Sequence, residues 1–384
     1  MKSQNMNGTH STSSARIALF HPCLIHGGIQ RVFVDLALGF LERGLAVDIV
    51  QATSEGEFRD QVPVGARLVD LNASRALTSI IRLARYLRRE RPDAVISGAI
   101  QTNLAAVLAR TIARVPSRLV LTEHNIVSAI ARDAPMLRTR VSPFFVRKLY
   151  PWADEIVTIS EGSAEDLAVI LGIPKNRIHV IYNPVIGDQL WKRAAEPLAD
   201  DLFFADRRPV VLAVGRLHYH KDFSTLLRAF AEVRNKVNAR LLFLGDGEER
   251  AALTSLANNL GIASDVSFKG NVSNPLPYMK HAAVLALSST VESFGLVLVE
   301  ALAMGLPIVA TDCPTGPREI LRGGAYGTLV PVGDSSAFAE ALVHVLQLPR
   351  RPAVPDEAFE RFQHDRAVES YLALLGIRTE TGER

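Results

Sequence analysis

The feature that most constrains this chain is a rhythm of short apolar runs and helical segments. From Arg16 onward it reads RIALF, a helix from about Gly28, AVDIV, RLVDL, a helix over 75–90, then DAVIS. RLVLT (118–122), EIVTI (155–159) and IHVI (178–181) continue the alternation. Strands separated by crossover helices pair in parallel, so the first half reads as a mostly parallel sheet with helices on both faces. The rhythm lapses at YNPVIGDQLWKRAAEPLADDLFFADRR and resumes with PVVLAV at 209. ARLLFL (239–244), DVSF (265–268), AAVLAL (282–287), PIVA (307–310) and YGTLV (326–330) then predict a second doubly wound α/β domain.

Length agrees with two cores, since 384 residues exceed the roughly 250–300 at which a single core stops growing. The expected organisation is a disordered tail over 1–15, an N-terminal domain over 16–183, a linker over 184–208 and a C-terminal domain over 209–355. A C-terminal helix and tail over 356–384 is expected to pack back on the N-terminal domain. With 48% hydrophobic and 22% charged residues the chain is globular rather than disordered. Its two cysteines, Cys23 and Cys313, give neither a disulfide framework nor a CxxC metal spacing, which fits a reducing cytosol. The polar N-terminus lacks the apolar stretch of a signal peptide, and no run reaches the roughly 18 apolar residues of a spanning helix. The expected location is therefore cytoplasmic.

Charge is uneven. Residues 1–185 carry 22 Lys and Arg against 16 Asp and Glu, and the remainder 21 against 24, so the first half is the basic one. Its cations gather in IIRLARYLRRERP (80–92) and MLRTRVSPFFVRK (136–148), interleaved with aliphatic and aromatic residues. That combination suits an anionic membrane surface, at the inner face of the cytoplasmic membrane, or equally an ordinary amphipathic helix with a solvated basic face. Nucleic acid is not expected as a partner, because no recognition module is visible.

Ligands of doubly wound sheets sit beyond the carboxyl ends of the strands, which directs attention to the turns. After RIALF, Gly27 and Gly28 stand at the mouth of a helix, where bare backbone and unpaired N–H groups favour an anion, although a tight turn explains them as well. A dinucleotide fingerprint is absent, which disfavours a nicotinamide-dependent dehydrogenase. After PVVLAV, the stretch GRLHYHKDF sets Arg216 at a strand end and Lys221 at the start of a helix. Two such cations suit a diphosphate; singly, each is as readily an exposed charge. LFLGDGEE repeats the layout with Gly245, Asp246 and Gly247.

The most telling stretch is TVESFGLVLVEALAMGLPIVA (290–310), an apolar run carrying two acids, Glu292 and Glu300. An unpaired carboxylate in a core costs several kcal/mol, so a partner or ligand is called for. Ser293, Phe294 and Gly295 read as the approach to a helix that Gly305 and Pro307 terminate, which leaves Glu292 in the loop and Glu300 in the helix. On an unbroken helix the two would stand about 80° apart in azimuth and about 12 Å apart along the axis, enough to meet different parts of one extended ligand.

At this point the chain resembles a known family. E-SFGLVLV-E is a Glu-x7-Glu motif, and with GGIQR, GRL followed by KDF, the GDG turn, YNPV and ALAMGLPIVATD it resembles the family 4 retaining glycosyltransferases over roughly 16–375. The resemblance implies the GT-B fold, two Rossmann-like doubly wound domains facing a cleft, with a nucleotide-sugar donor held mainly by the second. It implies that Glu300 binds the ribose hydroxyls and that Arg216 and Lys221 bind the diphosphate. Glu292, with the backbone of Phe294, Gly295 and Leu296, would meet the sugar and phosphates, and Gly27 and Gly28 would close from the first domain. Asp246 would line the donor site, and His124, in LVLTEHN, would stand near the reacting sugar, although a strand-end histidine bonded to neighbouring backbone is the plainer account of that residue alone.

No Asp-x-Asp triplet occurs, in keeping with metal-independent hexosyl transfer that needs no cofactor beyond the donor itself. TDCPTGPREIL (311–321) resembles the version found in bacterial enzymes that build surface polysaccharides or glycans on lipid carriers, often from UDP-sugars, so a lipid-linked glycan is the expected acceptor. A GT-B-like nucleotide-sugar epimerase and a non-catalytic nucleotide-sugar-binding subunit share the layout and remain alternatives.

Overall fold

A computed structural model describes residues 15–23, 28–53, 61–133, 141–198, 202–349 and 353–377. Gly27, the tail over 1–14 and the first part of the 136–148 segment lie outside the described residues. The chain forms two compact units. One holds the residues up to Leu121 with Trp152–Asp154 and those from Leu372, and the other holds Thr122–Pro151 and Glu155–Tyr371.

The first half builds seven strands: β1 (Arg16–His21), β2 (Ala46–Gln51), β3 (Arg67–Asp70), β4 (Ala94–Gly98), β5 (Arg118–Glu123), β6 (Glu155–Thr158) and β7 (His179–Val180). Their order is β3-β2-β1-β4-β5-β6-β7. Between them run α1 (Gly28–Glu42), α2 (Ile80–Glu90), α3 (Ile100–Ala113), α4 (Val127–Asp133), α5 (Ser142–Leu149) and α6 (Glu161–Leu171). Val95, Ile96, Leu119 and Val120 are among the residues closed off from water, which is why these strands read as continuous apolar runs rather than alternating ones. Asp48 in β2 is the polar exception. Its buried carboxylate accepts from Arg67 Nε (2.9 Å) and Tyr86 Oη (2.6 Å), which offsets its desolvation.

Helix α2 is amphipathic, with Leu83, Ala84, Tyr86 and Leu87 buried. Most of its cations are engaged within the chain. Arg82 donates to the Leu71 carbonyl (2.8 Å), Arg88 Nε to the Ala113 carbonyl (3.2 Å), and Arg89 pairs with Glu90 (2.7 Å). The basic stripe over 80–92 thus ties α2 to its neighbours. Helix α5 differs: Val146 is fully buried while Phe144 and Phe145 are 59% and 45% exposed.

The second half builds β8 (Val210–Val214), β9 (Arg240–Leu244), β10 (Val266–Gly270), β11 (Val284–Leu287), β12 (Ile308–Thr311) and β13 (Thr328–Val330), ordered β10-β9-β8-β11-β12-β13. Every recorded pairing in this sheet is parallel. Its helices are α7 (Asp188–Ala194), α8 (Phe223–Arg234), α9 (Arg250–Asn259), α10 (Leu276–His281), α11 (Leu296–Ala303), α12 (Pro317–Ile320), α13 (Ser335–Leu346) and α14 (His364–Leu375). Successive residues of a strand face opposite sides. Val210 and Leu212 accordingly enter one core with Met279, Leu298 and Leu302, while Val211 and Ala213 enter the other with Phe230, Leu253 and Phe338.

The segment expected to be a linker, 184–208, carries a short helix of its own. This is α7, whose Leu190 and Ala194 join the core on one side of the second sheet. Two apolar positions four residues apart suffice for one buried helical stripe, too short a period to stand out among the prolines. Just before it, the Val185 and Ile186 N–H groups both donate to the Phe362 carbonyl (3.1 and 2.9 Å), and His364 N–H returns a bond to Ile186 (2.7 Å). The 184–186 stretch is thereby pinned to the chain that enters α14.

Candidate functional site

The order of the second sheet reverses between β8 and β11, the place where open α/β sheets form a crevice beyond their strand ends. Two loops emerge there, 215–222 after β8 and 288–295 after β11. They are laced together. Thr290 N–H donates to the His220 carbonyl (2.8 Å) and Ser288 Oγ to the Lys221 carbonyl (2.7 Å).

Across this seam Lys221 Nζ pairs with Glu292 Oε2, which also accepts from Ser289 Oγ (3.3 Å). The two side chains are only 22% and 15% exposed, so the pair is partly desolvated and stronger than a surface ion pair. The carbonyl of Glu292 is held in turn by Thr315 Oγ1. Cys313 lies near enough to sense the carboxylate. Burial first, and the Glu292 charge second, push its thiol up to about 12, which keeps it an uncharged packing residue.

Arg216 stands on the same loop but reaches outward, 72% exposed, with its Nη2 3.1 Å from Glu248 Oε2. Glu248 Oε1 lies 3.5 Å from His218 Nε2. A carboxylate held between a guanidinium and an imidazole marks a place suited to an anionic oxygen. Asp246 stabilises its own turn, where its Oδ1 accepts from Gly247 N–H (2.8 Å) and its Oδ2 from Arg250 (2.8 Å). The GDG turn also receives the neighbouring loop, with Leu217 N–H bonded to the Asp246 carbonyl (3.0 Å). Side chains are sterically excluded at the centre of that contact, because a Cβ on Gly245 would stand 2.0 Å from the Gly215 carbonyl oxygen.

Beyond Glu292 the chain enters α11 through Gly295, and the first N–H groups of a helix lack intrahelical acceptors. Leu296 begins that helix. The Phe294 ring is anchored in the core, 3% exposed and packed edge-on against Phe362 with ring centroids 5.7 Å apart, so only its backbone can face a ligand. Glu300 is buried at 8% exposure on α11. The structure therefore gathers Lys221, Glu292, Gly295 and Leu296 at one pair of laced loops, with Arg216 and Asp246 in the adjoining turns. Sequence reasoning missed Ser288, Ser289, Thr290, Thr315 and Glu248. A run of small hydroxyl residues directly after a strand, SST, was the one available signal.

Of the three remaining expected site residues, Gly27 lies outside the described residues. Gly28 opens α1 in the first unit. His124 follows β5, 4% exposed, with its Nε2 3.0 Å from Thr122 Oγ1. Its neighbour Glu123 is buried. Glu123 Oε2 accepts from Tyr150 Oη (2.8 Å) and Oε1 from the His124 and Asn125 N–H groups (3.1 and 3.2 Å). Burial raises this carboxyl to about 7, against the lowering effect of those bonds.

Two doubly wound parallel sheets, one with cations, a paired carboxylate and a helix N-terminus at its switch point, place the chain among the Rossmann-like α/β proteins. Family models sharpen that class. Residues 26–188 match Glycosyltransferase Family 4 and residues 208–348 match Glycosyl transferases group 1, so the chain belongs to this glycosyltransferase family. It is 30% identical over 257 residues to the amylovoran biosynthesis glycosyltransferase AmsD of Erwinia amylovora, covering 66% of this chain and 68% of that protein.

A Campylobacter jejuni N-acetylgalactosaminyltransferase, named for an acceptor saccharide on diphospho-undecaprenol, is 31% identical over 246 residues. That match spans 64% of each chain. In structure the chain is similar to Anabaena HepE in complex with UDP and glucose, with a TM-score of 0.78, 20% identity and 94% and 99% of the two chains covered. The fold is accordingly GT-B.

Proposed function

We propose that this glycosyltransferase is a retaining, metal-independent hexosyltransferase that moves a sugar from a nucleotide-diphosphate donor, UDP in preference to GDP, to a lipid-linked saccharide in surface polysaccharide or glycan assembly. The observation that carries this reading is the Lys221–Glu292 pair at the switch point, between two loops that hydrogen bonds hold in place. Lys221 and Arg216 offset charge that builds on the departing diphosphate, as a metal ion does in other enzymes. Glu300 binds the ribose hydroxyls, and Glu292, with the backbone at Gly295 and Leu296, meets the sugar and phosphates. His124 stands near the reacting sugar. Neither glutamate serves as a covalent nucleophile, and the leaving phosphate helps to deprotonate the acceptor.

The preference for UDP is supported by the UDP complexes of HepE, and the lipid-linked acceptor by the name of the Campylobacter relative. No helix among the described residues is long and apolar enough to cross a membrane. A peripheral contact is supported best at α5, where exposed Phe144 and Phe145 flank exposed Arg147 and Lys148. Aromatic rings beside cations suit the interface of an anionic bilayer. Replacing both phenylalanines by serine is expected to abolish sedimentation with phosphatidylglycerol vesicles, and undiminished sedimentation would contradict this contact.

The reaction itself is tested by incubating the protein with labelled UDP-glucose, UDP-galactose and UDP-N-acetylglucosamine, with and without a diphospholipid-linked saccharide. The expected result is UDP release that depends on the acceptor, and a product with the donor's anomeric configuration by NMR. Conversion of donor to an epimer without acceptor would replace this reading with the epimerase one.

A further inference from the structure

The loop that carries Glu292 is braced on its backbone by residues outside the expected donor site. Two consecutive carbonyls are hydrogen-bonded and the third is closely packed. Glu292 O accepts from Thr315 Oγ1, Ser293 O accepts from Ser160 Oγ (3.0 Å), and Phe294 O sits where a Cβ on Gly316 would approach to 2.4 Å. Ser160 is also the N-cap of α6. Its Oγ accepts from Ser163 N–H (3.2 Å) and lies 2.7 Å from the Ser163 hydroxyl. The loop is thus tied to the first turn of a helix more than 130 residues upstream.

Glu319 in the 315–319 segment takes two further contacts, one from that helix and one from the chain after β7. Glu161 N–H reaches both oxygens of Glu319 (3.0 and 3.1 Å), and Tyr182 Oη donates to Glu319 Oε1 (2.6 Å). At the same seam Gly162 faces Thr315 so closely that an added Cβ would stand 2.4 Å from Thr315 Cγ2. A carboxylate at an N-terminal N–H and a serine N-cap are both favourable for α6, so this turn is locally well formed and stiff. Ser160, Ser163 and Thr315 are buried, so their bonds are shielded from competing water, while the Glu161–Glu319 bonds are exposed.

We infer that the 160–163 turn, Thr315 and the Glu319–Tyr182 bond form a brace that sets the position of the Glu292 carboxylate for sugar transfer. Ser160, Gly162 and Thr315 are positioning residues. The inference rests on the proposed role of Glu292 toward the sugar. Nucleoside diphosphate affinity rests mainly on Arg216, Lys221 and Glu300, and the brace acts mainly on the orientation of Glu292 toward the sugar. Small displacements at a reacting centre are costly: about 1 Å of misplacement can lower a rate by about a hundredfold.

The test uses the full chain and three variants. Gly162→Ala drives a methyl group into Thr315 Cγ2 and is expected to lower kcat for transfer about tenfold, while the Kd for UDP by calorimetry stays within about twofold. Thr315→Ser keeps the hydroxyl that holds Glu292 and removes the clashing methyl, so Gly162→Ala combined with Thr315→Ser is expected to recover kcat to within about threefold of the parent. Thr315→Val keeps the shape and deletes the donor, and it is expected to lower kcat about five- to tenfold with UDP affinity again retained. It serves as the independent check if Gly162→Ala does not fold.

Parent-like kcat in Thr315→Val, or equal losses of UDP affinity and kcat, would overturn the brace. So would a double variant no faster than Gly162→Ala. Failure of the donor-site reading looks different: there Lys221→Met and Glu300→Ala would leave UDP affinity unchanged, whatever the brace variants do.

Discussion

Lys221→Met isolates the ion pair at the centre of the site. The substitution keeps the aliphatic stem and removes the ammonium, leaving the Glu292 carboxylate with Ser289 Oγ at 3.3 Å. Two unit charges near 4 Å in an effective dielectric of ~20 attract by about 4 kcal/mol before desolvation is subtracted. Breaking a fully buried pair costs about 3–5 kcal/mol, and breaking an exposed pair about 0–1. With side chains 22% and 15% exposed, this pair falls between them, and a loss of about 1–3 kcal/mol is expected.

Urea unfolding of the parent, Lys221→Met, Glu292→Gln and the double variant measures it. The coupling in that cycle is expected to be about 1 kcal/mol or more, because the partners share one contact. In parallel, transfer by Lys221→Met is expected to fall at least about tenfold, equivalent to about 1.4 kcal/mol of lost transition-state stabilisation. Additive stability effects within about 0.5 kcal/mol, or transfer at the parental rate, would refute the placement of Lys221 as both partner to Glu292 and counter-ion to the diphosphate.

Three further outcomes follow from single residues. Glu300→Ala is expected to weaken UDP binding about tenfold by calorimetry while binding of inorganic pyrophosphate is unchanged. Gly245→Ala places a Cβ 2.0 Å from the Gly215 carbonyl oxygen on a backbone at φ +139°, so it is expected to destabilise by at least about 2 kcal/mol in urea, the cost of a strained close contact. Glu123 binds its proton more tightly folded than unfolded, so its contribution is complete below the ordinary carboxylate range and is lost as pH rises through about 7. The parent should therefore lose up to about 3 kcal/mol of stability from this group between about pH 4.5 and 7.5, and Glu123→Gln should flatten that slope.

The sequence made the alternation of strands and helices legible because buried parallel strands are written as apolar runs, and RIALF, RLVLT, PVVLAV and AAVLAL each became one. Glu292 was legible as an acid in an apolar stretch, where a buried charge needs a reason, and Lys221 as a cation at a helix start beyond a strand. Their contact with each other was not, since 71 residues separate them and the sheet order brings the loops together. Ser160, Thr315 and Glu319 escaped notice for a similar cause: their partners lie far away in the chain, and a hydroxyl or acid near a helix start usually caps that helix. The basic run over 80–92 reads equally as a membrane-facing stripe or as an ordinary amphipathic helix with a solvated basic face. Arginines on an exposed helix face look available, but carbonyl groups of α3 and of the chain after β3 accept from two of them.

The central claim is that the laced loops after β8 and β11 hold a nucleoside diphosphate. Calorimetric titration of UDP into the parent protein and into Lys221→Met tests it most directly, with GDP and ADP as comparison ligands. Saturable UDP binding to the parent is expected, with weaker binding of GDP and ADP, and at least about a tenfold loss of UDP affinity in Lys221→Met. UDP affinity identical in the two proteins, or no binding of any of the three nucleotides, would contradict it.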